Sequence, residues 1–198
     1  AGWVRVDLHS HTMWSGDSTT TPEEIEESVV EAGLDVLCIT DHHAIRGARE
    51  LAPRLAALGC RVIVGEEMRT HHGEIIGLFL SERVPHGEPS IAAAQAIRAQ
   101  GGLVYVPHPF DPTKRNLAEP ALEALVRAGL VDAIEVLNAK TSLASLNQRA
   151  ADFAAANDLA AGAGSDGHVP HALGAAYVEM PDFDGPAVSA VTGEGMAS

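Results

Sequence analysis

An α/β barrel is the fold class this 198-residue sequence predicts, and three features predict it. Short apolar runs of strand type alternate with helical runs along most of the chain. Those runs are apolar at nearly every position, as are strands buried on both faces of a parallel sheet. Finally, His9, Asp41 with His42, Glu67, His108, Asn138 and Asp166 each fall at or just past the C-terminal end of such a run. In α/β barrels that end carries the active site, and scattered surface residues would not keep this phase over six strands.

The first strand is "WVRVDLH" at 3–9. A helix follows over "PEEIEESVVEA", with Thr21 as N-cap, Pro22 in the first helical position, Glu24 completing a capping box and Gly33 ending the run. "LDVLCIT" at 34–40 is a continuous apolar strand. The helical stretch 45–58 carries Pro53, which predicts a kink or a split there. Strands at 61–65 and 74–80 lie close enough in sequence to pair with no helix between them. Ser90 is expected to cap "SIAAAQAIRAQ", which Gly101 and Gly102 stop before the strand at 103–107. Helix 119–128, strand 132–137, helix 143–156 and strand 159–164 complete seven strands, and "AYVEM" at 175–179 is expected as a peripheral eighth. A single domain over 1–198 accounts for the chain, with 185–198 expected to be a mobile tail.

The net charge of -14, from 27 acidic and 13 basic residues, disfavours a general binder of nucleic acid or of anionic membranes. No apolar run approaches the roughly 20 residues that span a bilayer, and the opening "AGWVRVDLHS" lacks the order of a signal peptide. A cytoplasmic protein is expected. Cys38 and Cys60 lie in apolar runs without the spacing of a zinc knuckle, so both are expected to be buried reduced thiols.

In an extended segment side chains at i and i+2 share a side, so "HSH" brings His9 and His11 to one ion while Ser10 points away. "GSDGH" repeats the device with Asp166 and His168. These motifs, "DLHSHT", "ITDHH", "GEEM", "VPHPFD" and "GSDGH" in this order, resemble the successive motifs of the PHP (polymerase and histidinol phosphatase) superfamily over residues 3–180.

That resemblance implies a distorted (β/α)7 barrel with its metal site at the C-terminal ends of the strands, two or three divalent ions, and hydrolysis of phosphate esters. Carried over residue by residue, it puts His9, His11, Glu67 and Asp166 on one ion. Glu67 would bridge to a second ion that His108 also holds, and Asp17, His42 and His168 would hold a third. Glu74 stands where many members of that family have a histidine; a carboxylate ligates too, and Glu74 is retained as a ligand. One extra residue precedes Asp17, in "SGDS" rather than "SDG". Carboxylates with imidazoles suit manganese, zinc or iron.

Glu67, Asp166 and His168 are the catalytic candidates for a metal-dependent hydrolase that activates water on its ions and cleaves a small phosphomonoester or a nucleotide. Lys114 and Arg115, in the loop after His108, are candidates to bind substrate phosphate, as are Arg46 and Arg149. His71 or His72 would join the site only if their turn folded inward, His86 is expected to face solvent, and His43, His171 and Trp14 are expected to make structural contacts. The competing readings are a phosphodiesterase or exonuclease, an amidohydrolase-like C–N hydrolase, and an inactive binding module. No nucleophile elbow, Walker loop or dinucleotide fingerprint competes with the metal motifs.

Overall fold

The structure, a computed structural model, describes residues 2–186. Its strands are β1 (Trp3–Ser10), β2 (Val36–Ile39), β3 (Arg61–Thr70), β4 (Gly73–Leu78), β5 (Leu103–Val106), β6 (Ala133–Asn138), β7 (Ala160–Gly164) and β8 (Val178–Pro181). The helices are α1 (Pro22–Ala32), α2 (Arg46–Ala56), α3 (Ser90–Ala99), α4 (Glu119–Arg127) and α5 (Ala144–Ala156). The strands form one sheet in the order β7-β6-β5-β4-β3-β2-β1-β8.

This sheet curls into a nearly closed barrel, and β1 makes the seam with its two halves. Its first half pairs antiparallel with β8, from Trp3 opposite Pro181 to Val6 opposite Val178. Its end meets the segment after β7: the Asp166 amide donates to the His9 carbonyl at 2.7 Å and the His11 amide to the Gly167 carbonyl at 3.0 Å. Both chemistry-bearing ends of the chain are thereby stitched together.

Besides β8, one strand departs from an all-parallel sheet. β4 runs antiparallel to both β3 and β5. The two-residue connection after β3 leaves no room for a crossover helix, so β4 can only fold back as a hairpin. Its first residues, Gly73 and Glu74, therefore lie at the same barrel end as the finish of its neighbours.

Three apolar clusters hold the barrel. One draws mainly on strand residues, including Val6, Cys38, Ile63, Ile76 and Tyr105. Another packs α1 and α2 on the sheet through Ile25, Val29, Leu51 and Leu55. The third packs α3, α4 and α5 through Ile97, Leu122, Leu125 and Ala154. Each such large side chain contributes about 1.5–3 kcal/mol on full burial. Cys38 and Cys60 are buried and free.

The capping box of α1 is present on both sides, and Gly33 closes the helix in the left-handed conformation at φ 62°. Two local expectations are corrected. Of the kink or split expected at Pro53 the split is absent: α2 runs continuously through Pro53, which is exposed, while Leu51 and Leu55 anchor the inner face. Ser90 is not a cap: Pro89 precedes the helix, and the Ser90 hydroxyl instead meets His72 Nδ1 at 3.2 Å. Of the expected tail, residues 187–198 lie outside those described.

Candidate metal centre

Each candidate ligand reaches the centre from the same rim. His9 is the penultimate residue of β1, His42 follows β2, Glu67 lies on the rim half of β3, Glu74 is the second residue of β4, His108 follows β5 and Asp166 follows β7. Ser10 points to the other side and donates to the Cys38 carbonyl at 2.8 Å. His108 and Asp166 have left-handed backbones, at φ 29° and 50°, which non-glycine residues adopt at a cost and chiefly at functional sites.

Glu67 is the hub. Its Oε2 lies 3.3 Å from His9 Nε2 and 3.2 Å from His11 Nε2. Its Oε1 lies 3.1 Å from His108 Nε2. Asp166 Oδ1 stands 3.6 Å from His9 Nε2 and 3.5 Å from His11 Nε2. Glu74 Oε2 is 3.8 Å from His108 Nε2 and its Oε1 is 3.9 Å from His42 Nδ1. Farther out, Asp17 Oδ2 sits 3.0 Å from His168 Nε2 and 3.2 Å from His42 Nε2.

Donor atoms thus gather in sets that lie mutually within 4.8 Å: His9–His11–Glu67, His9–His108–Asp166, Glu67–Glu74–His108, and His11–Asp17–His42–His168. All nine candidate ligands belong to these sets.

The donor chemistry fits divalent ions. His9 Nε2 and His11 Nε2 face each other at 3.1 Å, and with Glu67 Oε2 they make a triangle whose other edges are 3.2 and 3.3 Å. Two donors on one four-coordinate zinc, bonded at about 2.0–2.1 Å, lie about 3.3 Å apart. His42 Nδ1 and His108 Nδ1 are buried with no hydrogen-bond partner.

Electrostatics agree with a site built for cations. Burial by itself would lower His9, yet Glu135, Asp166 and Glu67 around it push its pKa well above the ordinary imidazole value. Burial brings His11 down to about 4, which favours the neutral ring that a metal ligand needs. Burial opposes ionisation of Glu67, but His9 and the hydrogen bonds from His108 and His11 hold it well below the usual carboxylate range.

Three contributors, Glu135, Asp7 and Lys140, escaped sequence reasoning, while Asp41, expected at this rim, takes a supporting role. Glu135, fully buried on β6, accepts from His9 Nδ1 at 3.1 Å, the His108 amide at 2.6 Å and Asn138 Nδ2 at 2.9 Å. It orients one ligand through its ring and another through its backbone. Asp7 accepts from the amides of His9, Ser165 and Gly174, and burial still raises it to about 6. Asp41 accepts from the Thr12 amide and hydroxyl at 2.6 and 2.7 Å, clamping the segment after His11. Lys140 places Nζ 3.0 Å from His168 Nδ1 and 3.6 Å from Asp166 Oδ1. The strand pattern marks Glu135 alone, as a charged residue inside an otherwise apolar run.

Among the candidates for binding phosphate, Lys114 is at the centre, its ammonium in contact with Asp166 Oδ2. Arg115 is exposed, and its carbonyl accepts from the Glu74 amide at 2.8 Å. Arg46 pairs with Glu50, and Arg149 pairs with Glu119 and covers the Phe110 ring, so neither reaches the ligand sets through these partners. His72 turns to Ser90, His71 is exposed on the β3–β4 turn, and His171 is exposed. Trp14 packs on the core beside α1 and α2. His43 and His86 pack against one another with ring centroids 4.3 Å apart and planes inclined at 34°.

Among the described residues no helix is long and apolar enough to cross a membrane. The protein MJ1587 of Methanocaldococcus jannaschii, which has no assigned function, is 36% identical over 146 residues, 69% of this chain and 82% of its own length. The 5'-3' exoribonuclease Rnm of Escherichia coli is 42% identical over 82 residues, which are 38% of this chain and 27% of that protein. A crystal structure from Bacteroides vulgatus, of a two-domain protein containing a predicted PHP-like metal-dependent phosphoesterase, superimposes with a TM-score of 0.72 at 22% identity, over 85% of this chain and 53% of that one. The PHP domain profile matches residues 7–173, a span that opens just before His9 and closes just beyond His168, and this chain belongs to the PHP domain family.

Proposed function

We propose that the chain is a metal-dependent phosphoesterase that hydrolyses a small phosphomonoester or a nucleotide in the cytoplasm. The observation that carries this reading is Glu67, whose two carboxylate oxygens face separate histidine sets at 3.1–3.3 Å, the arrangement of a bridging ligand between neighbouring cations. His9, His11, Glu67 and Asp166 hold one ion in this reading; Glu67, Glu74 and His108 a second; Asp17, His42 and His168 a third. Manganese, zinc or iron suits such nitrogen and oxygen donors.

Divalent ions held this close supply an acidified water near neutral pH and neutralise charge on the attacked phosphoryl group. Everything else falls to the chain. Glu135 fixes the ring of His9, and Asp41 fixes the Thr12 segment that follows His11. Lys114 and Lys140, both beside Asp166, are placed to meet phosphate oxygens from one side. His168 is the most exposed imidazole of the set, at 19%, and its Nε2 faces Asp17, so these two residues form the solvent side of the site. The catalytic assignment is Glu67, Asp166 and His168.

Manganese-loaded protein offered a panel of phosphomonoesters is expected to release inorganic phosphate and to stop when chelator is added. No release from any ester by fully loaded protein would refute the reading. A second reading, cleavage of a phosphodiester at a nucleic-acid end, is favoured by the similarity to the exoribonuclease Rnm and opposed by the net charge of -14. End-labelled RNA separates the two.

A further inference from the structure

Beside the ligand sets lies a cleft of about 550 Å3 that the reading above leaves without a role, within the size range of small-molecule sites. Its wall begins at His43, one residue beyond His42, and the two rings are 6.0 Å apart between centroids. Arg46, Arg49 and Arg83 line it with Glu50 and Glu82, a local excess of positive groups on a chain of net charge -14. The start of α2 also lies in this wall, at Ala44, Ile45 and Arg46, and no side chain caps it. Uncapped amides and the helix dipole both favour an anion there.

Arg49 already donates to the Ser81 carbonyl, while Arg46 and Arg83 are only loosely engaged. Arg46 and Glu50 approach to 3.5 Å with side chains 73% and 56% exposed, a pair that water weakens. Arg83 Nε stands 3.6 Å from the fully buried Glu66, whose Oε1 makes no hydrogen bond while its Oε2 accepts from the Val84 amide. Buried Glu66 therefore orients Arg83 without saturating its guanidinium. His43 is held in the left-handed conformation at φ 53°, and its Nδ1 is buried without a partner. Non-glycine residues take up that conformation chiefly where the surroundings enforce it.

We infer that this cleft is a second anion subsite, which takes a phosphate or carboxylate group that the substrate carries away from its scissile ester. The preferred substrates are thus small molecules with two anionic groups, one over the ligand sets and the other against Arg46, Arg49 and Arg83. The inference rests on the phosphoesterase reading for its turnover arm and on binding alone for its other arm.

Two matched pairs test it on the manganese-loaded chain: fructose 1,6-bisphosphate against fructose 6-phosphate, and 2,3-bisphosphoglycerate against 3-phosphoglycerate. The ratio of kcat/KM within at least one pair is expected to favour the doubly phosphorylated member by about ten-fold or more, mainly through KM, and to fall below about three-fold in Arg46→Ala/Arg83→Ala. Those side chains are 73% and 51% exposed, and because Arg83 faces the buried Glu66, circular dichroism and a melting curve establish that the double variant is folded before it is compared. Equal rates within both pairs, or a ratio untouched by the double variant, would overturn the subsite. If no ester turns over, the phosphoesterase reading fails, and calorimetric binding of the two bisphosphates decides the cleft. Binding about ten-fold weaker in the double variant supports it, and equal binding overturns it.

Discussion

Glu67 faces His108 with one carboxylate oxygen, at 3.1 Å, and turns the other toward His9 and His11. Glu74 spans His108 and His42 in the same manner but only at 3.8 and 3.9 Å, so Glu67 makes the closer link between ligand sets. Glu67→Gln keeps the volume but makes one of these atoms an NH2 donor that cannot ligate. Metal content should fall by at least one ion per chain, and kcat should drop by roughly 10²–10³-fold, the scale of losing an electrostatic group aimed at the reacting centre. Circular dichroism should show the fold retained.

Glu135 should be a positioning residue whose effect runs through the metal. Glu135→Gln weakens acceptance from His9 Nδ1 and the His108 amide without emptying the site. Metal affinity is expected to fall about 10–100-fold, as for other groups that orient ligating histidines. A competitive chelator titration reads this directly, and unchanged affinity would contradict the assignment.

Lys114 makes opposite predictions for metal and for substrate. Its ammonium is against Asp166, so Lys114→Met removes a cation that competes for that carboxylate. Metal should bind more tightly, and KM for a phosphoester should rise by about ten-fold, one charge-assisted hydrogen bond's worth. Both changes in the same direction would mean that Lys114 only balances charge.

Metal uptake should release protons. Neighbouring Glu135, Asp166 and Glu67 hold His9 above the ordinary imidazole range despite its burial, so the metal-free ring carries a proton at neutral pH that a cation must expel. Affinity therefore weakens as pH falls, and a pH indicator in weakly buffered solution should record release on adding manganese.

Gly164 should not tolerate a side chain. A Cβ there would collide with His9 Cβ and stand 2.6 Å from Glu135 Oε1. Gly164→Ala is expected to cost about 1–3 kcal/mol, as overpacked cores do, and to lower the Tm by several degrees. The metal-free protein should show the loss as clearly as the loaded one.

Much of this architecture is legible in the sequence, for reasons that particular residues show. Thr21, Pro22, Glu24 and Gly33 act through neighbours in the chain, so α1 could be bounded to the residue. His9 and His11 share a side because extended backbone alternates, and that too is local. β4 reverses direction because of its short connection, a topological fact, and this is what brings Glu74 from a strand's start to the rim where the other strands finish. Glu135 and Lys140 acquire meaning only from β6 lying between β5 and β7, which brings one carboxylate beneath two histidines. Ser90 looked like a cap because serine commonly is one; the nearby His72 took its hydroxyl instead.

The central claim, that one shared centre assembled around Glu67 holds neighbouring ions, is tested most directly by elemental analysis of metal per chain. The protein would be expressed with manganese, zinc and iron available and purified without chelator. The account predicts about two or three ions per chain, falling by at least one in Glu67→Gln. About one ion or none, or an undiminished content in that variant, would contradict it.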